Sequence, residues 1–411
     1  MSGDFKSAAW LQWPQTKQLV TAFAPHPKAL RFVGGAVRDT LLSRDVTDVD
    51  AATTLLPEAV MALLEKSGIR AIPTGIDHGT VTAVIDGKHF EITTLRKDVA
   101  TDGRHAEVAF TDDWKMDAAR RDFTMNALYL SPEGELFDYF GSVTDAREGR
   151  VRFIGDAPSR IAEDYLRVLR FFRFHAHYGI GAPDTVALAA CAVAAEHLKS
   201  LSGERIRHEM FRLLAAPHAS KILKLMHENA ILPPILGFAV VDVAKFARFE
   251  SIENVMGMQI DPCIKLFEFI RASKESTGFA LEILASRLRL SNQHEKILRT
   301  MVQHLSAVES SVSQQAQQKK LLRKLGGKYF IATVIARWVD SDVPITPVHS
   351  YAEMIRLADN WIPPQFPVTG DDLIAKGFVP GKALGERFRV LEEAWEASDY
   401  RLTREELLAR G

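Results

Sequence analysis

Apolar positions change their spacing along this chain. Up to about Ser142, β-rich runs alternate with helical ones; after Gly155 the strand signals thin out and helical spacing takes over. Phe32-Val33 leads into Gly34-Gly35 and the amphipathic run Ala36 to Leu42, which predicts strand, tight turn and helix. Val81 to Ile85 and His89 to Thr94 are β-rich and joined across Asp86-Gly87, a hairpin signal. The polar stretch Arg96 to Asp113, with Lys97-Asp98 and Thr101-Asp102-Gly103-Arg104, predicts a mobile loop ending in a short strand around Val108 to Phe110. Asp117 to Leu128 predicts a helix carrying Arg120-Arg121-Asp122. Helical spacing then fills 158–178, 183–198, 202–215 and 219–230, with breaks at Gly179-Ile180-Gly181, Ser202-Gly203 and Pro233-Pro234. Residues 240–345 continue helical and include a Gln-rich, basic stretch, Gln314 to Lys328. Pro344, Pro347, Pro363, Pro364 and Pro367 mark a linker region before a last segment, Gly370 to Leu408.

Composition narrows the classes. A chain of 411 residues, 47% hydrophobic and 25% charged, reads as a folded soluble protein of two to four domains. The net charge of −1 leaves no global basic field, so any nucleic-acid binding must use local patches. The two cysteines, Cys191 and Cys263, make no disulfide framework and suit a reducing cytoplasm. The N-terminal text has no signal-peptide pattern, and no apolar run reaches the roughly 20 residues of a membrane span. His175 and His177 lie two apart in a helical stretch, point different ways, and read as packing or surface residues.

The most informative stretch runs from Gly34 to Asp50. Glycines let the backbone approach a ligand, and the following helix offers free N–H groups to an anion. In Asp48-Val49-Asp50, strand alternation puts both carboxylates on one face. Two such carboxylates repel unless a cation lies between them. Mg²⁺ carried by a nucleoside triphosphate fits, because it takes oxygen ligands and keeps phosphates as co-ligands. In nucleotidyl transfer, such cations activate a hydroxyl and neutralise departing pyrophosphate. The Gly34-Gly35 turn and Arg38 then suit the phosphates. Glu91 shares a strand face with Thr93, opposite Phe90 and Ile92. It is either a third carboxylate beside Asp48 and Asp50 or an exposed strand glutamate. Arg121-Asp122 offers a carboxylate for a ribose 2′-hydroxyl and a guanidinium for triphosphate or ribose, or else a surface salt bridge.

A third element is the predicted helix Glu163 to Arg173. Asp164, Arg167, Arg170 and Arg173 recur every three residues along one stripe, with Leu166, Leu169 and Phe172 beside it. A solvated face with a Glu163–Arg167 pair is one reading. The other is a base reader. Cytosine and adenine each place an amine beside a ring-nitrogen acceptor, so Asp164 accepting and Arg167 donating would select both. Guanine and uracil would leave buried groups mismatched at on the order of 1–3 kcal/mol each. Arg170 and Arg173 lie further along, where they could meet phosphate.

Five motifs in this order, FVGGAVRD, TDVDAAT, RRDFTMNAL, EDYLRVLRFFRF and GERIRHEM, resemble the bacterial and eukaryotic (class II) tRNA nucleotidyltransferases, the CCA-adding enzymes, and the related bacterial poly(A) polymerases. HGTVTAV and FEITTLRKD also look like the family. The resemblance is dense from about residue 30 to 240. It implies an α+β fold: a polymerase-beta-like nucleotidyltransferase head (mixed sheet with helices), then an all-helical neck, body and tail. The corresponding ranges are 1–145, 146–215, 216–345 and 346–411. Carried over, Asp48 and Asp50 match the metal ligands, here Mg²⁺. Gly34, Gly35, Arg38 and Arg121 match nucleotide-binding positions and Asp122 the ribose contact. Asp164, Arg167, Arg170 and Arg173 match the base-reading and nucleotide-binding helix. Glu204, Arg205 and Glu209 match a motif bracing that helix.

The activity implied is stepwise addition of C, C and A to the tRNA 3′ end from CTP and ATP, without a nucleic-acid template. The expected partners are tRNA, at its 3′ end and elbow, with no membrane and no obligate protein partner; the expected location is cytoplasmic. The presence of the Arg96–Asp113 stretch favours the full activity over CC-only addition. An A-only enzyme, a poly(A) polymerase and a catalytically inactive RNA-binding relative are the alternatives. Lys319, Lys320, Arg323, Lys324 and Lys328 are either candidates for tRNA phosphates or a solvated basic helix.

Overall fold

Short apolar runs pair into one mixed sheet in the first half of the chain. A computed structural model describes residues 5–102 and 105–410, with side chains for all of these but 77 and 98–108. In chain order the strands are β1 (Leu30–Val33), β2 (Asp50–Thr53), β3 (Arg70–Gly75), β4 (Thr80–Ile85), β5 (Lys88–Thr94), β6 (Arg96–Asp102), β7 (His105–Phe110), β8 (Leu128–Leu130) and β9 (Leu136–Asp138). Their spatial order is β3-β4-β5-β2-β1-β8-β9, with β6-β7 as a separate ribbon. Every ladder is antiparallel except β2–β5.

The period of two in each strand sorts side chains to the two faces. Phe32 and Ala51 join Val81, Ala83, Phe90 and Ile92 in one core, under helices α1 (Pro14–Ala22) and α3 (Pro57–Lys66). Their neighbours Val33 and Ala52 join Leu95, Ala118 and Tyr129 in a second core on the opposite face. The expected hairpin is present: Asp86 (φ 45°) and Gly87 (φ 77°) turn β4 into β5, as a two-residue turn requires. Strand β1 runs through Gly34 into helix α2 (Gly35–Leu41). Gly34 has φ 69° and ψ −121°, a conformation open in practice only to glycine.

Several expectations are corrected. The polar stretch from Arg96 is not a loop: its described backbone forms the β6-β7 ribbon, paired from Arg96↔Phe110 to Asp102↔His105. Gly103 and Arg104 lie outside the described residues. Helix α4 spans Trp114–Ala119, not Asp117–Leu128. The Asp113 carboxylate caps it early by accepting from the Lys115 and Met116 N–H groups. Arg121-Asp122 therefore lies in the turn beyond the helix, followed by β8. The helix expected over 158–178 is two helices, α6 (Ala157–Glu163) and α7 (Leu166–Tyr178). Asp164 between them is extended (φ −155°, ψ 106°), and its Oδ1 accepts from the Leu166 N–H.

Helix α7 packs against α9 (Gly203–Leu214) and α10 (Ala219–Glu228); α5 (Ser142–Arg147) and α8 (Thr185–Val193) complete the helices of the first compact unit, Met1–Ile235. Pro233-Pro234 does not break the chain but sits within α11 (Leu232–Leu236), prolines being tolerated in a first helical turn.

The second unit, Leu236–Gly411, is helical. The proline-rich region is not merely a linker. It holds α12 (Ser350–Asn360), which buries Tyr351, Ala352, Met354 and Ile355. Helices α13 (Gly370–Ala375), α14 (Lys382–Ala397) and α15 (Arg404–Ala409) share their own small core of Val368, Leu373, Leu391, Trp395 and Leu407. The basic stretch packs on the acidic face of α14. Lys319 pairs with Asp399, Lys320 with Glu396, and Arg323 with Glu392 and Glu396; Lys328 is 4.0 Å from Asp261. Four of the five candidate phosphate contacts are thus already matched to carboxylates.

Trp395 is 2% exposed at the centre of that last core. Trp395→Ala should cost about 3–5 kcal/mol locally. Limited proteolysis should then cut first within 346–411 while the sheet unit survives. Cleavage starting in the sheet unit would contradict an independent C-terminal core.

Candidate active site

The loop Asp45 to Asp50 brings two carboxylates to the edge of β2. Val49 points into the core at 3% exposure, so Asp48 and Asp50 both face outward, as alternation predicts. The Asp48 carboxylate accepts from the Thr47 hydroxyl at 3.1 Å. Among the described residues, neither carboxylate is in an ion pair. Across the parallel ladder, Ala51 is opposite Ile92, which puts Glu91 beside Asp50. Burial and the Glu91 carboxylate push Asp50 up to about 6; Arg121 opposes and Asp48 adds. Still, Glu91 does not close a three-carboxylate cage. Among the described residues, no three His, Cys, Asp or Glu side chains converge on one point. An acidic pair with no cation of its own suits a divalent metal that takes its other ligands from substrate phosphates.

These carboxylates open onto a polar cavity of about 410 Å³. Its walls include Gly34, Gly35 and Arg38 from the β1–α2 turn, Arg121, Asp122 and Asn126 from the turn after α4, and Arg170, Arg173 and Tyr178 from α7. Nine of the residues singled out from sequence therefore share one cavity. Glu91, Asp164 and Arg167 are not among its lining.

The arginines there are held by carboxylates and hydroxyls. Arg38, 6% exposed, pairs with Asp39 at 2.9 Å and donates to Asn126 Oδ1 at 2.5 Å and the Tyr178 hydroxyl at 2.6 Å. Arg121 donates to the Tyr129 hydroxyl at 3.0 Å and to Asp117 at 3.2 Å. Asp117 is fully buried; burial alone would raise it, but Arg121, Arg120 and the Tyr129 hydroxyl hold it at about 2. Arg170 clamps Asp122 through Nε at 2.7 Å and Nη2 at 2.5 Å. Asp122 also accepts from Asn126 Nδ2 at 2.9 Å and the Phe123 N–H at 2.8 Å. Burial opposes its charge, yet Arg170 and these donors hold it at about 2. Arg173 pairs with Glu209 on α9 at 2.5 Å.

The expected base-reading pair is arranged differently. Because the helix starts only at Leu166, Asp164 stands outside the stripe of Arg167, Arg170 and Arg173. Its free oxygen accepts from Arg205 at 2.7 Å. Arg167 donates to Glu163 at 2.5 Å and to the Arg160 carbonyl at 2.6 Å. The GERIRHEM motif therefore braces this region through Arg205 and Glu209, while Glu204 is exposed.

Sequence reading passed over Asn126, Tyr178 and Asp39, which tie Arg38 to Asp122 and α7. Asn126 and Asp39 lie inside quoted motifs but carry no periodic signal. Tyr178 comes from the end of α7, near Arg38 only in space.

Comparison with known proteins places this geometry. The family model described as "Poly A polymerase head domain" matches residues 30–152, and "Probable RNA and SrmB- binding site of polymerase A" matches 183–239. The mitochondrial CCA tRNA nucleotidyltransferase 1 of Mus musculus is 35% identical, over 96% of this chain and 88% of its own length. The CCA-adding enzyme of Geobacillus stearothermophilus is 42% identical over 50% of this chain and 51% of its own. The crystal structure of the Bacillus stearothermophilus CCA-adding enzyme in complex with CTP superposes with a TM-score of 0.75, at 26% identity, covering 96% of this chain and 95% of that one.

The raised Asp50 carboxyl yields a sign test. A group held above its ordinary value of 3.8 costs the fold stability, here in full above about pH 6. The cost begins as pH rises through 3.8, where the unfolded chain ionises, and is absent well below that, where both states carry the proton. Asp50→Asn should raise the melting temperature of the metal-free protein by roughly 1–3 °C at neutral pH. The gain should shrink as pH falls from about 6 toward 3.8 and be lost below it. A variant no more stable than the parent at neutral pH would contradict a carboxyl raised by burial and by the Glu91 charge.

Proposed function

The chain belongs to the class II tRNA nucleotidyltransferases, the CCA-adding enzymes, and from that premise we propose how its residues divide the work. The activity is stepwise addition of C, C and A to the 3′ end of tRNA from CTP and ATP. In each step the terminal RNA hydroxyl attacks the α-phosphorus, the α–β bond breaks, and pyrophosphate leaves. Such enzymes use divalent metal. We assign the metal to Asp48 and Asp50 and its identity to Mg²⁺, supported by their shared face and their lack of a cationic partner. When bound, the cation eases ionisation of the attacking hydroxyl and offsets charge on the pyrophosphate. Glu91 acts through Asp50, as a neighbouring charge.

Gly34 and Gly35 leave room for the phosphates to approach the backbone. Arg38 and Arg121 face the same space, with their carboxylate, hydroxyl and amide partners fixing the planes of their guanidinium groups. We assign Asp122 to the ribose 2′-hydroxyl. Its tie to Arg170 keeps it charged, and a charged carboxylate can only accept, so a hydroxyl is favoured over bare carbon. Arg170 and Arg173 complete the anion-facing wall. For base selection we retain Asp164 and Arg167, on either side of the α6–α7 break. Arg205 and Glu163 hold them, so base binding requires Asp164 to exchange Arg205 for an exocyclic amine. Arg167 Nη1 is held by Glu163 and the Arg160 carbonyl and Nη2 reaches the Arg120 carbonyl at 3.5 Å, so base reading requires Arg167 to give up part of this set as well.

We place the activity in the reducing cytoplasm, supported by two cysteines that are both free and buried. Among the described residues, no helix is long and apolar enough to cross a membrane.

The observation that carries the assignment is the unpaired Asp48–Asp50 pair opening on an arginine-walled cavity. Incubation with tRNA lacking its 3′ end, plus CTP and ATP, should give a product three residues longer ending in A. A long A ladder would instead indicate a poly(A) polymerase, and arrest after two residues a CC-adding enzyme. Asp48→Ala should abolish addition with tRNA binding mostly intact; retained activity would remove the metal assignment. Arg167→Ala should blur selection among the four nucleotides by roughly tenfold or more while triphosphate affinity changes little.

A further inference from the structure

Most charges in the active cavity are already matched, and two arginines stand apart. Arg38 is paired with Asp39, Arg121 with Asp117, Arg170 with Asp122 and Arg173 with Glu209. Arg212, in the last turn of α9, lines the same cavity, is exposed, and among the described residues is in no ion pair. Arg44, just past the end of α2, lies outside that cavity's lining but shares Asp45 and Val46 with it in the adjoining hollow; it is likewise exposed and, among the described residues, without a carboxylate partner. Each touches His177 of α7, Arg44 through its guanidinium and Arg212 through its backbone carbonyl. Arg44 donates to the His177 carbonyl at 2.8 Å, and His177 Nε2 is 3.0 Å from the Arg212 carbonyl. Burial, and after it the charges of Arg173, Arg44 and Arg212, lower the His177 imidazole below its usual value, while its contact with the Arg212 carbonyl opposes. Asp45 lines this wall too and pairs with neither arginine.

Two anions must enter this cavity: the nucleoside triphosphate and the RNA strand whose hydroxyl attacks it. The triphosphate belongs by the Gly34-Gly35 turn. Arg44 follows the opposite end of α2, a helix about 10 Å long. We propose that Arg44 and Arg212 form the subsite for a backbone phosphate of the tRNA 3′ strand, holding the RNA terminus against the incoming nucleotide. This inference rests on the proposed function. Arg212 and Arg44 are positioning residues, acting on the RNA rather than on the bond that breaks.

The test separates the two substrates. With tRNA lacking CCA, Arg212→Ala should raise the KM for tRNA roughly tenfold while the KM for CTP stays within about twofold. Arg212→Lys should recover most of the loss. In nucleotide-free binding, the dependence of log affinity on log salt should flatten by about 0.7 per lost phosphate contact, for Arg44→Ala as well. An equal rise in the KM for CTP would make Arg212 a triphosphate residue and overturn the proposal. Unchanged tRNA affinity and salt slope would also overturn it. If the parent protein binds tRNA with the predicted slope yet adds no nucleotide, the proposed function fails and the subsite stands.

Discussion

The ion pair between Arg170 and Asp122, two N–H groups donating to one carboxylate oxygen, joins the sheet to the helical layer that follows it. Asp122 stands in the turn after α4; Arg170 is on α7, 48 residues later. A half-buried guanidinium and a nearly buried carboxylate are each costly alone, and together they fix each other's orientation. Asn126 extends the link by donating to Asp122 and accepting from Arg38. Arg38 passes it on to Asp39 and Tyr178, and Arg170 to the vicinity of Glu209. Removing Asp122 would therefore loosen Arg38 as well as Arg170.

This arrangement fixes the planes of the guanidinium groups that wall the cavity. Asp117, Arg121 and Tyr129 form a second closed group beneath it. Asp48 and Asp50 are the exception, two carboxylates side by side with no cation of their own. The fold tolerates that repulsion because β2 and β5 are held together by buried Ala51, Ala52 and Ile92 behind the acidic edge. The instability is local, and under the proposed assignment a divalent ion would relieve it.

Much of this was legible from residue order. The strand–turn–helix at Phe32 to Leu42, the hairpin at Asp86-Gly87 and the outward pair at Asp48 and Asp50 follow from alternation and turn chemistry, which are local. Three things were not. The Arg96–Phe110 ribbon pairs polar strands with each other, so it lacks the apolar alternation that marks a half-buried strand. The end of α6 at Asp164 is invisible to periodicity, because Asp164, Arg167, Arg170 and Arg173 keep their spacing across the break. The pairing of Lys319, Lys320 and Arg323 depends on Glu392, Glu396 and Asp399, far downstream in the chain. Partnering across such distances leaves no trace in a window.

The single parallel ladder, β2 with β5, has a further consequence. Its partners lie about 40 residues apart, and between them the chain must complete α3, β3 and β4 before Asp50 can meet Glu91. Long-range pairing of this kind forms late, after local hairpins such as β4–β5. The acidic edge is thus assembled by closure of the sheet and not by the local text around it. While the chain is still emerging from the ribosome, a fragment ending before β5 carries the DVD tripeptide without the crowding that tunes it. Electrostatic competence is in this sense a late product of folding.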